Sequence, residues 1–269
     1  MGLFIRKSIE TLQAEAQQSG SKTLKRVLGP VSLVALGVGV IIGAGLFSIT
    51  GTVASEYTGP AITLSFIVAA IGCCFAGLCY AEFASMIPVA GSAYTYSYAT
   101  MGELIAWIIG WDLVLEYTVA ATTVSISWSR YLVVFLQGIG IELPHALSAC
   151  PWDGGIVNIP AMLIVVLMSL ILMRGIAGSS LFNGFIVFLK IGVILVFVIL
   201  GWKFIQAENY VPYIPENTGK LGEFGISGIL RGAAIVFFAF LGFDAVSTAA
   251  QETRNPQRNM PIGILVSLL

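Results

Sequence analysis

Two ionisable residues lie deep inside long apolar stretches of this sequence. Lys190 lies within the apolar run 181–204, and Asp244 follows Gly242 within the run 227–250. A charged side chain at such a depth is costly in hydrocarbon and therefore marks a functional site by default. Lys190 could carry a proton or serve as a fixed cation. The alternative, a lysine that only extends its ammonium toward the lipid interface, is weakened by its central position in the run.

A pair of carboxylates forms a second candidate. Asp112 and Glu116 are four residues apart in the apolar run 97–138, so they share one face of a helix. Two carboxylates on one face favour a cation, a shared proton or a cationic substrate between them. Arg130, later in the same run, could pair inside a helix bundle or reach the outer surface.

Glycines interrupt two of the apolar runs. Gly37, Gly39, Gly43 and Gly45 lie inside the first run, 31–54, and Gly242 lies near the middle of the sixth. A helix that opens in a membrane exposes backbone groups that lipid cannot satisfy, so a polar ligand has to replace the missing partners. For each glycine motif considered by itself, the alternative to a binding site is that the glycines only allow helices to pack closely. Breaks at matching depth, five spans apart in oppositely directed helices, favour a binding site in an inverted repeat.

Composition defines the class of protein. Hydrophobic residues make up 57% of the 269 residues, charged residues only 10%, and the mean hydropathy is +0.93. Because soluble domains carry about 25% charged residues, we predict an all-α integral membrane protein. No nucleophile–base pair or metal-ligand cluster is recognisable, so we do not expect an enzyme. We also expect no cofactor and no nucleic-acid partner, only membrane lipid around the helices.

The apolar runs predict six membrane spans and a seventh that is cut off. The spans are predicted at 31–54, 60–84, 97–138, 157–174, 181–204 and 227–250. Treating 97–138 as one helix keeps Arg174, Arg254 and Arg258 on the side of the basic N-terminal segment, as the positive-inside rule requires. We therefore predict a multi-pass protein of the cell membrane with residues 1–30 and 251–260 in the cytoplasm. Residues 261–269 would begin a seventh helix, and the chain would be the N-terminal part of a longer protein.

Several motifs, in this order along the chain, resemble the amino acid–polyamine–organocation superfamily, and within it bacterial members of the cationic amino acid transporter family. The resemblance extends over nearly the whole chain from about Leu24. The matching segments are Gly39–Phe47, Tyr80–Tyr96, Trp111–Tyr117, Gly242–Ser247 and Arg254–Pro261.

The resemblance implies a fold and a site. The fold would be a leucine-transporter-type five-plus-five inverted repeat, of which only the first repeat and the start of the second are present. An amino acid would bind between the unwound first and sixth spans. Its α-carboxylate would meet the backbone of the first break, and its α-amino group would meet carbonyls of the second. By position, these substrate-binding residues are Ile41, Ile42, Gly43, Ala44 and Gly45 in the first span, and Phe238, Ala239 and Leu241 in the sixth.

The resemblance also implies how transport would be driven. Lys190 matches a lysine that proton-coupled relatives place where sodium-coupled relatives bind their ion, so protons are the expected coupling ion. Glu116 matches a glutamate associated with cationic substrates, and Asp244 is a further candidate for coupling or charge selection. The expected function is secondary active uptake of an amino acid. A non-transporting amino-acid sensor or interaction subunit with the same half-site is the alternative.

Overall fold

The computed structural model describes residues 5–17, 26–173 and 176–268. Within these ranges the extended secondary structure is helical, joined by turns and loops, and contains no strand, as the composition predicts. A single isolated parallel bridge joins Leu28 to Thr253. Lys22, Lys25 and Arg174, which contribute to the predicted topology, lie outside the described residues.

The chain divides into two compact units, residues 1–109 with 180–269, and residues 110–179. In the first unit, the helices are α1 (Ile9–Gln17), α2 (Pro30–Ile41), α3 (Thr50–Val53), α4 (Ile62–Met86), α5 (Ser92–Thr100), α10 (Gly225–Val236), α11 (Ala245–Thr248) and α12 (Pro256–Leu268). Helix α6 (Glu103–Gly138) begins in this unit and continues into the second, whereas α9 (Ile176–Gly201) ends in it.

Close packing around α4 organises the first unit. This helix packs against α10 and α12, and α12 also packs against α2. Val53, Ala69 and Val236, from α3, α4 and α10, form a buried cluster. Small residues on α4 permit this approach: a Cβ on Gly77 would lie 2.5 Å from Leu268 Cδ1 of α12. Helices α10 and α3 therefore pack directly on one continuous helix, and α2 is attached to it through α12.

The N-terminal helix α1 packs on the protein. Leu12 is buried, and the Gln13 side-chain amide donates a 2.8 Å hydrogen bond to the carbonyl of Met86 at the end of α4. The backbone N–H of Lys7 donates to the carbonyl of Tyr98 in α5 at 3.3 Å. These contacts attach residues 5–17 to the end of α4 and to α5.

The second unit contains most of α6, the short helix α7 (His145–Ser148) and α8 (Ile159–Met173). Asn158 caps α8, because its Oδ1 accepts from the N–H of Ala161 at 3.0 Å and from the hydroxyl of Ser129 at 2.6 Å. Arg130 forms a 2.6 Å ion pair with Asp153 in the loop before α8. Both side chains are largely exposed, so the pair orients Arg130 but contributes little stability.

Four stretches are long and apolar enough to cross a membrane: Pro30–Met86, Glu103–Gly138, Leu181–Phe204 and Gly225–Thr248. The first contains two of the predicted runs in 57 residues, and Ile159–Met173 is a shorter apolar helix. Large apolar side chains such as Phe188 and Phe197 on α9 are exposed on their outer faces. The molecule is thus a multi-pass membrane protein, and its division into six spans stays a prediction.

Among the element boundaries that differ from the predicted ones, two are explained by the backbone conformation of the preceding residue. The third run was predicted from residue 97, but α6 begins at Glu103, because Gly102 has a φ of +101° that separates it from α5. The seventh run was predicted from Pro261, but α12 begins at Pro256. Proline is favoured in the first turn of a helix, and the preceding Asn255 has a φ of +46° that ends the loop.

Candidate functional site

The first span breaks at Ile42 and Gly43. Helix α2 ends at Ile41, and a π-helix begins at Gly45. The Ile42 N–H still donates to the carbonyl of Val38 at 2.9 Å, whereas the Gly43 N–H donates to the carbonyl of Ile41 at 2.9 Å. In a continuous α-helix the Gly43 N–H would instead bind the carbonyl of Gly39. The break therefore releases the Gly39 carbonyl from its helical partner.

Lys190 supplies the replacement donor. Its Nζ donates 2.8 Å hydrogen bonds to the carbonyls of both Gly39 and Ile42. Hydrogen bonds from a charged donor are roughly twice as strong as neutral ones. The half-buried lysine thus links α9 to the carbonyl side of the break, 151 residues away along the chain.

The second break lies in the predicted sixth span. Helix α10 ends at Val236, a 3-10 turn follows at Phe237–Phe240, and helical structure resumes only at Ala245. The Phe238 carbonyl accepts from the Leu241 N–H at 3.3 Å. Gly242 has a φ of +108°, a conformation that side chains rarely adopt.

The two breaks lie against each other. A Cβ on Gly45 would be 2.5 Å from the Cα of Ala239, and a Cβ on Gly242 would be 2.0 Å from Cγ1 of Val40. A side chain on Gly45 would meet backbone and would therefore move the opposite segment. On Gly242 it would meet the Val40 side chain, and the φ of +108° would also strain it. By contrast, a Cβ on Gly43 would approach only the carbonyl oxygen of Val40, at 3.1 Å.

The structure brings most of the predicted binding residues to this crossing. Gly45 and Ala239 are buried, and the other members are partly buried: Ile41, Ile42, Gly43, Ala44, Phe238 and Leu241. Ala44 and Gly45 belong to the first turn of the resumed helix. The N–H groups of a first turn have no acceptor within their own helix, and the helix dipole favours an anion there.

The other predicted site residues, Asp244 and Glu116, are described by their own contacts and exposure. Asp244 is buried and accepts a 3.3 Å hydrogen bond from the hydroxyl of Ser92 at the start of α5. Ser92 has a φ of +50°, so the loop backbone is strained where it presents this hydroxyl. Glu116 lies partly buried on α6 in the unit of residues 110–179, and Asp112, one turn earlier, is exposed.

Two residues at these sites were missed by sequence reasoning. The amide Nδ2 of Asn183 donates to the Ala35 carbonyl of α2 at 3.2 Å, and Ser92 binds Asp244. Asn183 could have been found by the criterion that selected Lys190, because it is a polar side chain in the same apolar run. Ser92 carries no such signal, since a serine beside a glycine is ordinary in a turn.

Comparison with known proteins identifies relatives for nearly all of the sequence. The family model of the amino acid permeases matches residues 28–269. The chain is 47% identical over 268 residues to a methylthioribose transporter of Bacillus subtilis, matching 99% of this chain and 56% of the relative. It is 48% identical over 271 residues to the branched-chain amino acid permease BcaP of the same organism, again 99% of this chain and 56% of the relative.

A plant relative extends the comparison. The vacuolar cationic amino acid transporter 4 of Arabidopsis thaliana is 37% identical over 269 residues, which are 99% of this chain and 44% of the relative. The chain therefore spans about half the length of the curated relatives it matches.

Proposed function

Because this chain belongs to the amino acid permease family, we propose that it forms the substrate-binding half of a secondary active amino acid transporter coupled to protons. Its whole-protein fold would be the five-plus-five inverted repeat, in the cell membrane with a cytoplasmic N-terminus. The observation that carries this proposal is the crossing of two broken spans, Gly45 against Ala239, with Lys190 bonded to the carbonyls that the first break releases.

The chemistry of the crossing matches the two ends of an amino acid. N–H groups of Ala44 and Gly45 at the start of a helical segment suit an α-carboxylate. Carbonyls of Phe238, Ala239 and Leu241, where the second break interrupts the backbone ladder, suit an α-ammonium group. Broken helices placed against each other are how transporters of this kind bind charged ligands within the bilayer.

Lys190 would couple this site to protons. As an ammonium it binds the Gly39 and Ile42 carbonyls and so holds α2 against α9. As a neutral amine it would bind them more weakly, because the bonds would no longer be charge-assisted. Protonation would thereby change how firmly the carbonyl side of the break is held, next to the residues that bind the substrate. Asp244, bound to Ser92, would secure the second break on its other side.

Uptake by the complete protein in proteoliposomes tests this function. We expect accumulation of a radiolabelled amino acid when the outside is made acidic, and competition for that uptake from a subset of the twenty standard amino acids. Uptake that is indifferent to the imposed gradient would show that the transport is not proton-coupled.

One relative suggests a different cargo. The methylthioribose transporter is as similar to this chain as the branched-chain amino acid permease is, at 47% and 48% identity. Labelled methylthioribose is therefore tested as a substrate in the same proteoliposomes. Uptake of methylthioribose, with no uptake of any amino acid, would replace the amino acid by a thio-sugar in the proposed function.

Glu116 would select the charge of the substrate. We expect Glu116→Gln to reduce lysine or arginine uptake about tenfold more than alanine uptake, because the loss of a charge partner for a cationic side chain would cost roughly 1–3 kcal/mol. Glu103→Gln is the matched control: it removes an exposed carboxylate at the start of the same helix, α6. Initial rates for the three labelled amino acids give the measurement. An equal loss for all three would rule out a charge-selecting role.

A further inference from the structure

Three residues on one face of α9 contact α2. Asn183, Val187 and Lys190 follow a spacing of four and three residues, which places them on the same side of a helix. Asn183 donates to the carbonyl of Ala35, and Lys190 donates to that of Gly39, one turn further along α2. Val187, between them, is buried. The contact is therefore a continuous seam with a polar bond at each end.

Gly39 sets how closely the two helices approach along this seam. A Cβ on Gly39 would lie 2.8 Å from Oδ1 of Asn183 and 3.0 Å from Cγ2 of Val187. Both distances are shorter than ordinary contacts between carbon and its neighbours. A side chain at position 39 would therefore have to displace Asn183 or Val187, which lie on the face of α9 that carries Lys190.

The bond from Asn183 is not required to satisfy the backbone of α2. Ala35 lies inside this helix, where its carbonyl can also accept the N–H four residues later, and a carbonyl oxygen has two lone pairs. Asn183 is partly buried among apolar side chains, where an amide is costly unless it is bonded. The Asn183 bond therefore contributes chiefly by fixing the rotation and the axial position of α2 against α9.

We propose that Asn183 is a positioning residue for Lys190. By attaching α2 to α9 at Ala35, it holds the released Gly39 carbonyl, one turn away, in front of the ammonium group. This inference rests on the proposed coupling role of Lys190. A substitution at Asn183 should therefore impair coupling to the proton gradient more than substrate binding, because Asn183 is bonded to α2 at Ala35, about two turns before the break.

The test compares two transport modes of the complete protein in proteoliposomes: accumulation driven by a proton gradient, and counterflow exchange of the same labelled substrate without a gradient. We expect Asn183→Leu to lower the ratio of accumulation to counterflow about tenfold, the size expected for directly coupled neighbours. Asn183→Asp keeps the side-chain size but replaces the amide donor, and it should act in the same direction. Phe185→Leu, on the exposed side of the same helix, should leave the ratio unchanged.

Counterflow also shows that a variant is correctly folded. If Asn183→Leu shows no counterflow, the ratio measured for Asn183→Asp decides whether Asn183 is a positioning residue. An unchanged ratio, or a parallel fall of accumulation and counterflow, would overturn the assignment of Asn183, because a purely structural role lowers both modes together. In the Lys190→Ala background, Asn183→Leu should cause no further loss. A further loss of counterflow there would show that Asn183 acts on packing alone.

Lys190→Ala measured in parallel separates the two proposals. If Lys190→Ala still responds fully to the gradient, the coupling role of Lys190 is wrong, and the inference about Asn183 falls with it. If Lys190→Ala loses the response while both Asn183 variants keep it, only the positioning role of Asn183 is wrong.

Discussion

Replacement of Lys190 by alanine is expected to abolish proton-driven accumulation while substrate exchange persists. The substitution removes the Nζ donor from the Gly39 and Ile42 carbonyls, both bonded at 2.8 Å. Each hydrogen bond to a charged group contributes about 1.5–3 kcal/mol, so α2 loses its strongest described attachment to α9. The variant also lacks any group at this position that can bind or release a proton.

Accumulation should therefore fall at least about tenfold, toward the level reached without a gradient, since 1.4 kcal/mol already corresponds to a factor of ten. Counterflow should survive, because the backbone groups proposed to bind the substrate are unchanged. Lys203→Ala is the matched control, since it removes an exposed lysine just beyond the end of the same helix. Gradient-driven accumulation at the wild-type level in Lys190→Ala would remove this lysine from the mechanism.

Substitution of Gly45 by alanine is expected to impair substrate binding severely. The new methyl group would lie 2.5 Å from the Cα of Ala239 and 2.9 Å from its backbone nitrogen. The obstacle is backbone, so no side-chain rotation can relieve it. Overpacking of this kind costs about 1–3 kcal/mol, and the two breaks would have to move apart at the proposed binding site.

We expect the apparent affinity for substrate to fall about tenfold or more, a change of at least about 1.4 kcal/mol. Gly51→Ala provides the control, because it adds the same methyl group to the next helical segment, where nothing lies within 4 Å. Alanine there should be neutral or slightly stabilising, since glycine is the poorer helix former. Concentration dependence of uptake gives the apparent affinity of each variant. Equal affinities for Gly45→Ala and wild type would contradict the placement of the substrate at this crossing.

The pattern of glycines predicts where the helices are weak but not what each glycine contacts. Gly43 lies in the first break itself, whereas Gly39 packs against Asn183 of α9 and Gly45 packs against Ala239. The close-packing explanation therefore applies to Gly39 and Gly45, whereas Gly43 lies in the opening that the proposed binding site would use. The distinction depends on which segment approaches each position from elsewhere in the chain.

The sequence by itself shows that the chain is a helical membrane protein. It also indicates where two spans could break and that Lys190 is a candidate site residue. Each depends on a local quantity: the apolar content of a run, the poor helix propensity of glycine, or the cost of a charge in hydrocarbon. Only the tertiary structure decided that Lys190 binds the Gly39 and Ile42 carbonyls and that Ser92 meets Asp244, across 148 to 152 residues of chain. Such partners are determined by the packing of distant helices, and neither the spacing nor the type of a residue specifies which distant carbonyl or hydroxyl will lie within hydrogen-bonding distance of it.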